Sequence, residues 1–219
     1  MAEVDNNKSP PEALMLLGTH CPHCPSVLAS LSELVKKGVI SKLEVVNLEQ
    51  RPDTGRELGV RSVPWVKIGP FELAGLHSTA ELQSWAEQAG SEQGMTRYFE
   101  DLLGEGEVMR VLEMIANDHG LLHALIGLVS DVDAKINARI GAGVVFEDYE
   151  GKPELLALVP ELGELTRHPD PRVRSDACHY LSFTHDASVT KYIEPLLEDK
   201  DDDVREVAEE SMAVLNDAG

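Results

Sequence analysis

Apolar and polar positions change their spacing along the chain, and each change marks an element. Ala13-Leu-Met-Leu-Leu-Gly18 is a short unbroken apolar run with the length and composition of a buried strand. From Pro25 to Val39 apolar residues return every three or four positions, which predicts an amphipathic helix. Leu43-Glu-Val-Val-Asn-Leu48, β-branched and bounded by polar residues, predicts a second strand. A helix of that length between two strands acts as a right-handed crossover, so the strands are expected to lie parallel. Arg51 to Leu58 reads as a short helix stopped at Gly59, and Val60 to Ile68 as a third strand. Phe71 to Gly75, after the break at Pro70, reads as a fourth. Ser78, with Glu81 three residues on, is a capping box opening a last helix over Ala80 to Ala89. The order β-α-β-α-β-β-α predicts an α/β domain over residues 12–90, a central mixed sheet flanked by helices.

Beyond a linker at 91–94 the period stays helical. The short run Ala142-Gly-Val-Val-Phe146 is the best strand candidate, and it also fits the end of a helix. A phrase recurs instead: Asp133-Ala-Lys-Ile-Asn-Ala-Arg-Ile, Asp170-Pro-Arg-Val-Arg-Ser-Asp-Ala and Asp201-Asp-Asp-Val-Arg-Glu-Val-Ala superpose without gaps. Upstream of each, an apolar pair keeps register: Leu125 with Leu128, Leu162 with Leu165, Ile193 with Leu196. Each unit is therefore expected to be an amphipathic helix, an acidic turn whose aspartate caps, and a second helix, as in an α-solenoid. Residues 95–118 are expected to add a helix pair turning at Gly104-Glu-Gly106. An all-α repeat domain thus occupies 95–219, and Pro10-Pro11 should hold residues 1–11 as an extended, disordered tail.

Composition narrows the function classes. With 219 residues and 42% hydrophobic content, two modest cores are favoured over one. A formal charge of −20 argues against nucleic acid or an anionic membrane face as partner, since both need clustered Lys and Arg. The N-terminus lacks the apolar segment of a secretion signal, and no apolar stretch approaches the roughly 18 residues of a spanning helix. A soluble, cytoplasmic protein is expected. Three cysteines, two of them in one C-x-x-C, make no disulfide framework and point to redox or metal chemistry in a reducing compartment.

The chemistry centres on Thr19-His-Cys-Pro-His-Cys24, between the first strand and the first helix. A sulfur at a helix N-terminus meets unpaired N–H groups and the positive end of the helix dipole, which favour thiolate over thiol. Cys21 is accordingly expected to attack and Cys24, within disulfide reach, to resolve. An imidazole at His23 would lower the Cys21 pKa further and raise the reduction potential of the couple. Zinc is the rival reading, with His20 and His23 beside the cysteines, but a structural zinc site usually takes a second ligand pair and the chain has no further C-x-x-C. Cys178, alone on an apolar helical position, is read as a small buried hydrophobe. His77, after the fourth strand, is read as a surface residue. Trp65 is either a substrate contact or a core aromatic.

C-x-x-C at a strand-to-helix turn, Val63-Pro64 before a later strand, a hairpin and a closing helix together resemble the thioredoxin superfamily, and the compact length is similar to glutaredoxin-like members. The resemblance implies a cis bond before Pro64, with the Val63 backbone beside the sulfurs and pairing with a substrate chain. Pro22-His23 resembles the dipeptide of the strongly oxidising members. Where thioredoxins carry a tryptophan before the first cysteine and a buried carboxylate on the first strand, this chain has His20 and Met15. Proton transfer at Cys24 must then use water, Glu12 or a histidine. The recurring Asp-Pro-Arg-Val-Arg phrase resembles HEAT repeats, in which the aspartate caps the second helix and the following arginine pairs between units. Arg174 and Arg205 match that arginine, and Asn137 stands in its place in the first unit.

The function this implies is a thiol-disulfide oxidoreductase whose Cys21–Cys24 disulfide is itself the redox group, with no bound cofactor and no metal. Its partners would be proteins bearing thiols or disulfides, met on the repeats, and a recycling reductase. The alternatives are a redox-sensing interaction module with little turnover and a carrier between a reductase and a peroxidase.

Overall fold

A computed structural model describes residues 9–217. The chain divides into two compact units between Gly94 and Met95. In the first, β1 (Glu12–Leu17), α1 (Cys24–Lys36), β2 (Lys42–Asn47), α2 (Pro52–Glu57), β3 (Trp65–Ile68), β4 (Phe71–Ala74) and α3 (Thr79–Gln88) follow the expected order. The sheet order is β2-β1-β3-β4, with β1 parallel to β2 and antiparallel to β3.

That topology positions the site. A parallel neighbour ends where β1 ends, and an antiparallel neighbour begins there. The C-terminal end of β1, where the cysteines follow, is therefore flanked by the exit of β2 at Asn47 and by the entry to β3 at Trp65. Alternation along β1 sends Ala13 and Met15 to one face, where Met15 lies between Val45 and Val66 in the register. Phe71 belongs to the same layer and packs on Trp85 of α3, ring centroids 4.8 Å apart. Val27, Leu31 and Leu34 are the buried stripe of α1. The expected capping box is complete: Ser78 Oγ accepts from the Glu81 N–H, and Glu81 Oε2 accepts from the Ser78 N–H at 2.8 Å.

Several boundaries differ from expectation, each for a local reason. The third strand starts at Trp65 rather than Val60, because Pro64 has no N–H to give a ladder. The tail expected over 1–11 falls largely on residues 1–8, outside the described residues. Pro11 is anchored, its carbonyl accepting the Ser41 N–H at 2.9 Å. The linker expected at 91–94 is helical from Glu92, the start of α4 (Glu92–Gly104).

The second unit continues with α5 (Val108–Asn117), α6 (Ala124–Ser130) and α7 (Ile136–Asp148), the last containing the whole Ala142–Phe146 run. After α8 (Pro153–Leu156) and α9 (Val159–Leu165) come α10 (Pro171–Ser182), α11 (Thr190–Ile193) and α12 (Asp202–Asp217). In each repeat the second helix is long, whereas the first is short or divided: 3₁₀ turns precede α6 and follow α11, and α8 breaks from α9. Pro153, Pro160 and Pro195 account for the divisions in the last two repeats, since a proline opens a helix and cannot continue one. Leu125, Leu128, Leu162, Ile193 and Leu196 are buried as predicted, and Leu165 is half-buried.

Asp170 caps α10 through the Arg172 N–H, and Asp201 accepts from the N–H groups of Asp203 and Val204 at the start of α12. The first unit departs from the pattern. Its helix begins at Ile136 after Lys135, whose N–H donates to Glu100 Oε1 at 3.2 Å, so Asp133 caps nothing. Between units, Arg174 forks onto both carboxylate oxygens of Asp199 at 2.8 and 2.7 Å and donates to the carbonyls of His168 and Pro169. Arg205 repeats the carbonyl contact on Asp199, but its ion pair is local, with Asp202. In the first unit Arg139, two residues past Asn137, takes over the arginine's work. It donates to the carbonyls of Val129 and Asp131 and pairs with Asp176 of the next unit.

Candidate active site

Cys21 and Cys24 are joined as a disulfide, Cα atoms 5.5 Å apart, well within bridging range. The helix opens one residue earlier than expected, so Cys24 is its first residue and His23 its N-cap. Pro25 at the next position suits a first turn, where its missing N–H has no intrahelical partner to lose. The Cys24 N–H donates to Cys21 Sγ at 3.1 Å, so the first sulfur does sit at the helix mouth. Cys24 is buried at 3% exposure, while Cys21 is half-buried and Pro22 and His23 are exposed. The outer sulfur is the one a partner can reach, and the inner one is confined behind it.

Two walls hold the loop. On the β2 side, the Thr19 N–H donates to Glu49 Oε1 at 2.8 Å, Asn47 Nδ2 donates to Thr19 Oγ1 at 3.0 Å, and the Glu49 N–H returns to Asn47 Oδ1. The bond from Thr19, aided by the charge and N–H of His20, holds the Glu49 carboxyl below its usual value. On the β3 side stands Val63, half-buried, ahead of Pro64, and the Val63–Pro64 peptide is cis. Gly18 lies where these walls approach: a Cβ there would be 3.3 Å from Val63 Cγ2, 3.7 Å from Glu49 Oε1 and 4.0 Å from Cys21 Cβ. Glycine is the residue that lets the two flanking segments close on the cysteine loop.

Sequence reasoning assembled Cys21, Pro22, His23, Cys24, Val63 and Pro64, and the fold gathers all six at one end of the sheet. It did not find Asn47 and Glu49. The available signal was the parallel pairing of β1 with β2, which sets the residues after Asn47 beside those after Leu17. One expectation is corrected. Glu12 cannot serve Cys24: it lies at the opposite end of β1, about 17 Å of strand from Leu17, and pairs with Lys42 Nζ at 3.0 Å. Trp65 is 5% exposed and packs in the core of the first unit. His77, half-buried, lies within 3.1 Å of the Ala74 carbonyl through Nε2. Cys178 is fully buried, its thiol pushed up to about 11 by burial, and its Sγ lies 3.6 Å from Ser211 Oγ. Among the described residues no group of three or more His, Cys, Asp and Glu could hold a metal ion. No helix among them is long and apolar enough to cross a membrane.

Comparison with known families agrees with both halves. The family model described as a thioredoxin domain matches residues 13–87, and the one described as HEAT repeats matches residues 123–213. No curated protein matches the chain.

Proposed function

We propose, taking the thioredoxin domain at residues 13–87 as premise, that the chain is a protein thiol-disulfide oxidoreductase working through the Cys21/Cys24 couple. The observation that carries this reading is the helix-mouth hydrogen bond from the Cys24 N–H to a half-exposed Cys21 Sγ, backed by a buried Cys24. When the couple is reduced, the same N–H and the helix dipole stabilise a Cys21 thiolate. That thiolate attacks one sulfur of a partner disulfide. The partner S–S bond breaks, one partner thiolate leaves, and a mixed disulfide through Cys21 remains. Cys24, losing its proton to water or to an imidazole of the loop, attacks Cys21 Sγ and expels the second partner thiol. Two electrons have passed to the partner, and the Cys21–Cys24 disulfide has formed. The reverse sequence oxidises a partner dithiol.

Val63 and Pro64 would carry the partner chain past the sulfurs, and the repeats would offer a protein-binding surface. No bound cofactor enters these steps. A separate reductase restores the dithiol, in a reducing, cytoplasmic setting. The test is trapping: Cys24→Ser should accumulate a dithiothreitol-sensitive mixed disulfide, and Cys21→Ser should form none. Wild-type protein with neither insulin reduction nor dithiol oxidation would remove the enzymatic reading. Partners that change with oxidation state despite negligible turnover would install the redox-sensing one.

A further inference from the structure

We propose that the groove between α7 and α10 docks an amphipathic helix with a basic end. The proposal rests on reading the repeats as a partner surface and names the place and the partner's chemistry. Ile136, Ile140 and Val144 are 74%, 63% and 44% exposed. Spacing by four puts them on one face of α7, so three large β-branched side chains form a solvent-facing stripe about 12 Å long. A singly exposed aliphatic residue is ordinary; an aligned row is the mark of a face that is covered in use. The stripe borders a groove of about 680 Å³ whose other wall is Tyr180 of α10 and Phe183, the C-cap that follows it. Gly143 also lines the groove, its Cα hydrogens facing the Tyr180 hydroxyl, from which a Cβ would stand 3.4 Å, in van der Waals contact.

The charges lining the groove point to the partner. Arg139 is engaged by Asp176, and Arg172 by Asp170 at 2.8 Å. Glu147, beyond the Val144 end, is exposed and has no ion pair among the described residues. A ligand with apolar residues along its middle and Lys or Arg at one end satisfies both features. A helix fits better than a strand, because α7 and α10 have spent their own backbone groups and offer no edge to pair, whereas a helix satisfies its backbone internally. Its apolar ridge, repeating every three or four residues, can lie in the groove between two helices. A second copy of this chain is disfavoured, since each copy brings a net charge of −20.

The experiment uses the full chain and two fluorescein-labelled helical peptides. Both carry leucine at positions i, i+4, i+7 and i+11; one ends in four lysines and the other in four glutamates. Fluorescence anisotropy should show the lysine peptide binding at least about tenfold tighter, a margin that narrows at 0.5 M salt. Ile140→Glu, at a site exposed enough to leave the melting temperature unchanged, should weaken the lysine peptide by about tenfold or more. Glu147→Lys should erase its advantage over the glutamate peptide. Equal binding of both peptides, or binding indifferent to Ile140→Glu, overturns the proposal. So does a concentration-dependent dimer that Ile140→Glu abolishes, since that gives the face to a second copy. Reduction of a small-molecule disulfide reports on the redox site alone: it should survive Ile140→Glu and vanish in Cys21→Ser, which should bind the lysine peptide normally.

Discussion

His23 is the residue most able to set the poise of the cysteine pair, being the exposed N-cap of the helix that begins at Cys24. Replacing it by glycine removes the imidazole, and with it a ring N–H donor, from the neighbourhood of Cys21, so the thiolate becomes less stable and the disulfide relatively more so. The reduction potential should fall by about 30 mV for each pKa unit by which the thiolate is destabilised, as read by titration against glutathione; an unchanged potential would remove His23 from the mechanism. Glu49 is the opposing charge, bound to the loop through Thr19. These two residues were not equally legible. His23 lies inside the motif and is visible at once, whereas Glu49 reaches the loop from 30 positions away through strand pairing that no local window displays. Trp65 failed to resolve for a related reason: its period-two position fits an inward or an outward ring, and only the sheet order decides.

At the scale of elements, the arginines that tie turns to helices are the parts most open to test. Arg174 and Asp199 form a pair only 6% and 11% exposed at their side chains. The hydrogen bond from Arg174 holds the Asp199 carboxyl below its ordinary value. A depressed carboxyl contributes stability above its unfolded pKa, near 4, and loses that contribution as the pH falls through the lower folded value. Arg174→Met should therefore cost about 2 kcal/mol at pH 7, between the worth of a surface pair and of a deeply buried one. In urea titrations the deficit should shrink below about pH 4, leaving the part owed to the two carbonyl contacts; a deficit independent of pH would show that packing carries it. The repeat pattern announced Arg174 because the valine before it fixes the register. It missed Arg139, since the first unit moves its arginine two residues along the helix, a shift that gapless superposition scores as loss. The broken first helices were missed too, because apolar periodicity passes over Pro160 and Pro195 without registering them.

For the whole molecule, the excess of acidic residues has a kinetic consequence. A net charge of −20 draws cationic partners and repels anionic ones over roughly a Debye length, about 10 Å at 0.1 M salt. Two disulfide peptides identical except for flanking lysines or glutamates should be reduced at different rates, the basic one faster, with the ratio falling towards one in 0.5 M salt. A ratio indifferent to salt would assign selectivity to contacts rather than to the field. The division of labour is chemical as well: the first unit carries the reactive couple, and the second carries a lone thiol kept inert between α10 and α12. With its ionisation raised to about 11, Cys178 should ignore a thiol reagent at pH 8 while the native packing holds and react once it opens. The chain thereby contains its own gauge. The rate at which a labelling reagent reaches that sulfur, under conditions where everything else is folded, measures how often the stack breathes, and it does so without a probe having to be introduced.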